Sequence, residues 1–143
     1  MKAGILEVLL VYAKDIKRTN FIGKPSYYVI LEWGTQSQRS KISSGKDEKT
    51  WWNEKFTFEF SSFDDSKKLS HLKCTIMDTE IFTNGGFVGE SRIYIGRIIS
   101  EGTEKGYIEI KPAPYNVVLE DGTYRGQIKI GFKLFVNVRL SSS

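Results

Sequence analysis

The feature that most constrains this chain is a two-residue alternation of apolar side chains, because a strand turns successive residues to opposite faces. It is clearest near the end, where Ile128, Ile130, Phe132, Leu134 and Val136 alternate with Lys129, Gly131 and Lys133. Phe56, Phe58 and Phe60 face away from Lys55, Thr57 and Glu59 in the same way. A first strand sets Leu6, Val8, Leu10 and Tyr12 on one face, and a second alternates Tyr27, Val29, Leu31 and Trp33 with Tyr28, Ile30 and Glu32. Further strands are expected around Gln36–Ile42, at Leu72, Cys74 and Ile76, over Ser91–Ile95 and near Tyr107–Ile110. Turn clusters separate them, such as "SSGKDEKT", "SSFDDSKK" and "EDGTYRG", and "GRIISEGTEKG" has room for one or two helical turns. About eight short strands predict an all-β, eight-stranded antiparallel sandwich. The chain of 143 residues is expected to form one domain over residues 1–138, with 139–143 as a disordered tail.

Composition narrows the functional classes. Apolar residues make up 40% of the chain, enough for a core, and the net charge of +4 permits but does not require attraction to anionic lipid or RNA. Cys74 is the single cysteine, which excludes an internal disulfide and suits a reducing, cytoplasmic setting. The run "GILEVLLVYA" is too short to span a bilayer, and with Glu7 inside it and no small-residue cleavage site after it, no signal peptide is expected.

Catalysis finds little support. His71 is the sole histidine, and its setting "KKLSHLKC" reads as a strand entrance. The glycines of "TNGGF" and "EDGTYRG" lack the strand–loop–helix context of a phosphate cradle. No pair of acids is spaced as a glycosidase would need. A non-enzymatic module without a small-molecule substrate is therefore expected.

The ordered motifs "GILEVLLVYAKDI", "NFIGKPSYYVIL", "WWNEKFTFEF", "CTIMDTEIFTNGGFVGES" and "YRGQIKIGFKLF" resemble a C2 domain across nearly the whole chain. With "YNVV" at Tyr115–Val118, they are most similar to the small single-domain plant C2 proteins of the elicitor-responsive and 16 kDa phloem protein group. The resemblance implies a C2-type sandwich with binding loops at one end, and the closing strand implies the circularly permuted type II arrangement.

The family usually binds calcium through loop aspartates, since the ion takes six to eight oxygens. By resemblance, the ligand positions are Asn20, Ser26, Asp78, Glu80 and Gly86, so carboxylates remain at Asp78 and Glu80 and are missing at the other three. Two unit charges at 4 Å interact by about 1 to 4 kcal/mol between water and surface-like dielectrics, and a dication doubles this. Calcium binding is accordingly expected to be weak or lost, with no tightly bound cofactor. Asp78 and Glu80 then serve either as residual ligands or as ordinary loop caps in contact with solvent. Between Lys14 and Ser26, Lys14, Lys17, Arg18 and Lys24 outnumber Asp15, a field that repels a dication and attracts phosphate.

Family members also bind anionic headgroups on a basic sheet face. The matching residues here are Tyr28, Arg39 and Lys41, with Lys46 and Lys49 available to extend the patch and Asp47 and Glu48 diluting it, and the loop adds Lys17, Arg18 and Lys24. Phe21 and Ile22 stand at the loop tip, available to dip into a bilayer or to pack beneath the loop. Trp52 of "WWNE" matches a core tryptophan, which leaves Trp51 as an extra, exposed aromatic. The expected function is association with anionic phospholipid membranes by a cytoplasmic, peripheral module. The alternative, carried by the phloem-protein resemblance, is an RNA- or protein-binding trafficking factor, which would want aromatic platforms beside a basic track.

Overall fold

A computed structural model of the chain describes residues 2–17, 25–45, 48–61, 64, 66–79 and 86–138. Its strands are β1 (Lys2–Lys14), β2 (Ser26–Trp33), β3 (Gln36–Arg39), β4 (Ser43–Ser44), β5 (Lys49–Ser61), β6 (His71–Asp78), β7 (Phe87–Tyr94), β8 (Tyr107–Val118) and β9 (Tyr124–Val138). One helix, α1 (Gly96–Lys105), connects β7 to β8. The strands follow the order β3-β2-β6-β7-β8-β9-β1-β5, with β4 attached to β2. The seam between β7 and β8 is a single pair, Glu90 with Val118. It divides the path into two antiparallel layers of four, which fold face to face as a sandwich. The first strand pairs with the last from Lys2–Val138 to Lys14–Gln127, the adjacency that the permuted arrangement requires.

The alternating apolar faces meet between the layers. Leu6, Val8 and Leu10 of β1, Phe58 of β5, Val29, Leu31 and Trp33 of β2, and Leu72 and Cys74 of β6 are fully buried. Trp33 binds the layers together: its ring meets Phe58 and Phe60 edge-on at 6.0 and 5.5 Å, and its indole N–H donates to the Leu69 carbonyl at 2.9 Å. Burial pushes the Cys74 thiol far above its ordinary pKa, which removes its reactive thiolate. Cys74 in the native protein should therefore resist iodoacetamide at pH 8 and react promptly in guanidinium; rapid native labelling, read by mass spectrometry, would contradict this burial.

Three elements depart from the sequence expectation. The polar strand expected over 36–42 ends at Arg39 as β3, with β4 following beyond it at Ser43–Ser44, because Ser40 turns inward to accept the Val29 amide at 2.8 Å and donates to the Lys41 carbonyl at 2.9 Å. Nine strands are described instead of eight. The strand expected near 107–110 continues to Val118 as β8. Pro112 and Pro114 disguise it, yet both are tolerated because β8 has little pairing on its β7 side. The helix is ten residues long, nearly three turns rather than one or two. Gly102 lets it lie against β9, since a Cβ there would clash with the Leu134 side chain.

A fourth departure matters more for the surface. The register of β1 with both neighbours shifts between Leu10 and Tyr12, a bulge at Val11. One extra residue exchanges the faces beyond it. Ala13 takes the buried position, and Tyr12, expected beside Leu10, is turned to the outer face. The two far edges of the sandwich are stitched by side chains. Gln36 donates to the Glu59 carbonyl at 2.6 Å and accepts the Glu59 amide at 3.1 Å, while Gln38 donates to the Thr57 carbonyl at 2.7 Å.

Candidate functional site

Antiparallel pairing gathers one set of connections at one end. Tyr27 lies opposite Asp78, and Met77 opposite Phe87, so the start of β2, the end of β6 and the start of β7 converge. The end of β1 and the start of β5 reach the same end through the Lys14–Lys49 pair. Ser26, Asp78 and Gly86 are thus brought together at one end. The Ser26 carbonyl accepts the Thr79 amide at 3.0 Å, and its hydroxyl lies 3.2 Å from that of Ser44. Asp78 is 1% exposed, which corrects the expectation that it could serve as a cap in contact with solvent. Its position continues the inward alternation of β6.

Gly86 is more than a position without an acid. Its φ is +88°, a left-handed conformation that favours glycine, and a Cβ there would lie 2.8 Å from the Asp78 carbonyl oxygen. A carboxylate cannot be placed at this residue without displacing the backbone that carries Asp78. Asn20 and Glu80 lie outside the described residues, as do Arg18, Phe21, Ile22 and Lys24. Among the described residues, no three His, Cys, Asp or Glu side chains are grouped as metal ligands.

Charge at this end is mixed. Lys17 is exposed, and the turn before β9 brings Asp121 within reach of its field. Hydrogen bonds from the Thr123 hydroxyl at 2.6 Å and amide at 3.0 Å hold the Asp121 carboxyl below its usual pKa, with the Lys17 charge adding to the effect.

The second expected site is the outer face of β3-β2-β6-β7. Tyr28 is half-buried there, and the Arg39 guanidinium carbon stands 3.9 Å from its ring centroid. Lys41 is exposed, its backbone fixed by the Glu54 carboxylate on its amide at 2.9 Å and the Trp52 indole N–H on its carbonyl at 3.0 Å. The rest of this face is neutralised. Lys73 sits 4.0 Å from Glu32 and 3.9 Å from Glu90, and Arg92 is 3.2 Å from Glu90. Sequence reading missed these carboxylates, because cross-strand pairing that brings Glu32 to Lys73 and Glu90 near both basic residues is not visible along the chain.

It also missed a cluster on the outer face of the other layer. Tyr12 and Trp51 pack with ring centroids 4.8 Å apart, and Trp51 is 45% exposed, as expected for the extra aromatic. The Lys49 ammonium lies 4.8 Å from the Tyr12 centroid and 5.5 Å from that of Trp51, and the Lys129 ammonium lies 5.5 Å from Tyr12. The bulge at Val11 creates this cluster, and no local sequence signal announces it. His71, by contrast, is exposed with its ring nitrogen 2.8 Å from the Ser70 hydroxyl and its ring 5.4 Å from that of Tyr94. No described helix is long and apolar enough to cross a membrane.

Comparison with known proteins bears on this geometry. The family profile of the C2 domain matches residues 4–110. Elicitor-responsive protein 3 of Oryza sativa subsp. japonica is 37% identical over 131 residues, covering 92% of this chain and 83% of its relative. The 16 kDa phloem protein 1 of Arabidopsis thaliana is 32% identical over 132 residues, covering 92% of this chain and 84% of its relative. A solved C2 domain-containing protein, from a gene described as elicitor-responsive, superposes with a TM-score of 0.70 at 33% identity, covering 99% and 93% of the two chains. A solved C2 domain of plant extended synaptotagmin 1 shares the fold, with a TM-score of 0.66 at 19% identity over 96% and 97% of the chains.

Proposed function

The chain belongs to the C2 domain family, and on that footing we propose that it is a non-enzymatic module that associates with anionic phospholipid without needing calcium. C2 domains generally bind phospholipid membranes, and this general property is the starting point. The observation that carries the calcium-independent part is Gly86, whose left-handed backbone lies against the Asp78 carbonyl where the family has a carboxylate. Ser26 adds a hydroxyl already facing Ser44, and buried Asp78 is left as the described carboxylate among these positions. Calcium then binds weakly if at all, and attraction comes from exposed basic side chains, Lys17, Arg39 and Lys41 among them. Each basic residue near an anionic surface contributes about 1 kcal/mol, which gives adhesion that salt weakens. The module would act at the cytoplasmic face of a membrane.

Co-sedimentation with phosphatidylcholine vesicles containing phosphatidylserine tests this directly. The protein should pellet equally in chelator and in calcium, and pelleting should fall as salt rises. Pelleting that needs calcium, or micromolar calcium binding by calorimetry, would overturn calcium independence. Absence of pelleting together with a salt-resistant shift of single-stranded RNA would instead favour the trafficking alternative.

A further inference from the structure

We propose that the outer face of β9, β1 and β5 beside the loop end is a docking surface for the phosphates of an anionic bilayer. In this arrangement Lys14, Lys49 and Lys129 meet the phosphates and Trp51 rests at the membrane interface. The inference deepens the membrane reading above and rests on it, but it assigns the contact to a different face from Tyr28, Arg39 and Lys41.

The register builds the surface as two adjacent rows across three strands. Lys14 lies opposite Lys49 on one side and Gln127 on the other; Tyr12 lies opposite Trp51 and Lys129. Like charges placed directly across a strand pair oppose folding. Lys14 and Lys49 are so placed, and Lys49 and Lys129 both direct their ammonium groups at the Tyr12 ring. None of the three makes an ion pair with a described carboxylate. Asp15 and Glu48 flank the rows, joined to each other through the Asp15 amide and the Glu48 carbonyl at 3.0 Å. Farther along the same layer, Lys55 lies 3.5 Å from Glu7. The opposite layer places Lys73 and Arg92 on carboxylates as well. Near the loop end, therefore, Lys49 and Lys129 converge on an aromatic pair, with Lys14 directly across the strand from Lys49, and none of the three has an anionic partner among the described carboxylates, an arrangement complementary to phosphate.

Trp51 determines which anion carrier fits. An indole that is 45% exposed and braced edge-on by Tyr12 has an apolar body and an N–H, the combination enriched at the headgroup level of bilayers. Lys14 leads directly from the rows into the loop carrying Lys17, so the surface is continuous with the converging strand ends.

The test uses vesicles of phosphatidylcholine and phosphatidylserine, in chelator, with the whole chain. Lys14→Gln, Lys49→Gln and Lys129→Gln together should reduce vesicle binding roughly a hundredfold or slightly more, from about fivefold per lysine. Replacing the same three by arginine should restore binding, and Arg39→Gln with Lys41→Gln should reduce it less than the lysine triple does. Trp51 emission should shift to the blue on vesicle addition, and Trp51→Phe should abolish the shift without loss of fold. If the wild-type protein pellets and the lysine triple pellets equally, this surface is wrong while the membrane reading stands. An emission unchanged by vesicles that the wild-type protein binds would likewise exclude this surface and leave the membrane reading intact. If the wild-type protein does not pellet at all, both fail together. Loss of an RNA shift in the triple without any vesicle binding would also overturn the assignment.

Discussion

Replacing Trp33 by alanine should destabilise the domain by about 3–5 kcal/mol, the usual range for truncating a buried aromatic. The side chain is fully buried between the layers and makes edge-on contacts with Phe58 and Phe60. Truncation also strips the Leu69 carbonyl of its indole donor, and an orphaned buried acceptor costs about 1–3 kcal/mol by itself. A domain of this size has about 5–15 kcal/mol in total, so the variant should sit near the edge of folding. Trp33→Phe keeps much of the ring and loses the donor, and should fall between the two. Urea unfolding followed by circular dichroism gives the ranking. A Trp33→Ala variant within about 1 kcal/mol of wild type would mean that the layers are not held together here.

Gly86→Asp should lower stability without conferring tight calcium binding. Holding a non-glycine residue in a sparsely populated backbone region costs on the order of 1–3 kcal/mol. The residue also meets the Asp78 carbonyl 2.8 Å from its Cβ, so relief requires the loop base to move. The carboxylate is then gained at the expense of the backbone geometry that positions Asp78. A lower urea midpoint with no micromolar calorimetric signal is the expected pair of results. An unchanged midpoint, or micromolar calcium binding by this single variant, would sink the argument that the site is closed by its backbone.

The sandwich is legible in the chain because period two survives wherever one face of a strand is buried. β9 and β6 show it plainly, with Ile128, Ile130 and Leu134, and Leu72 and Cys74, fully buried. Legibility fails where geometry breaks the period. The bulge at Val11 turns Tyr12 outward, and Pro112 hides the continuation of β8. The candidate site is legible only through family resemblance, since no spacing rule brings Ser26, Asp78 and Gly86 together. In the sequence Gly86 is informative only as a missing acid, whereas its φ of +88° makes it a conformational requirement. The basic face is overstated by sequence for another reason: the Glu32 and Glu90 carboxylates come from strands whose register only the fold defines.

The glutamine stitching of β3 to β5 also limits how another chain can approach. A partner that recognises a sheet by adding a strand needs a row of vacant backbone groups at an edge. Here the Glu59 amide and the Glu59 and Thr57 carbonyls are engaged by Gln36 and Gln38 within the same molecule. Strand addition along that seam would have to displace both amide side chains, which disfavours fibre-like growth there and directs recognition to the sheet faces and the loop end.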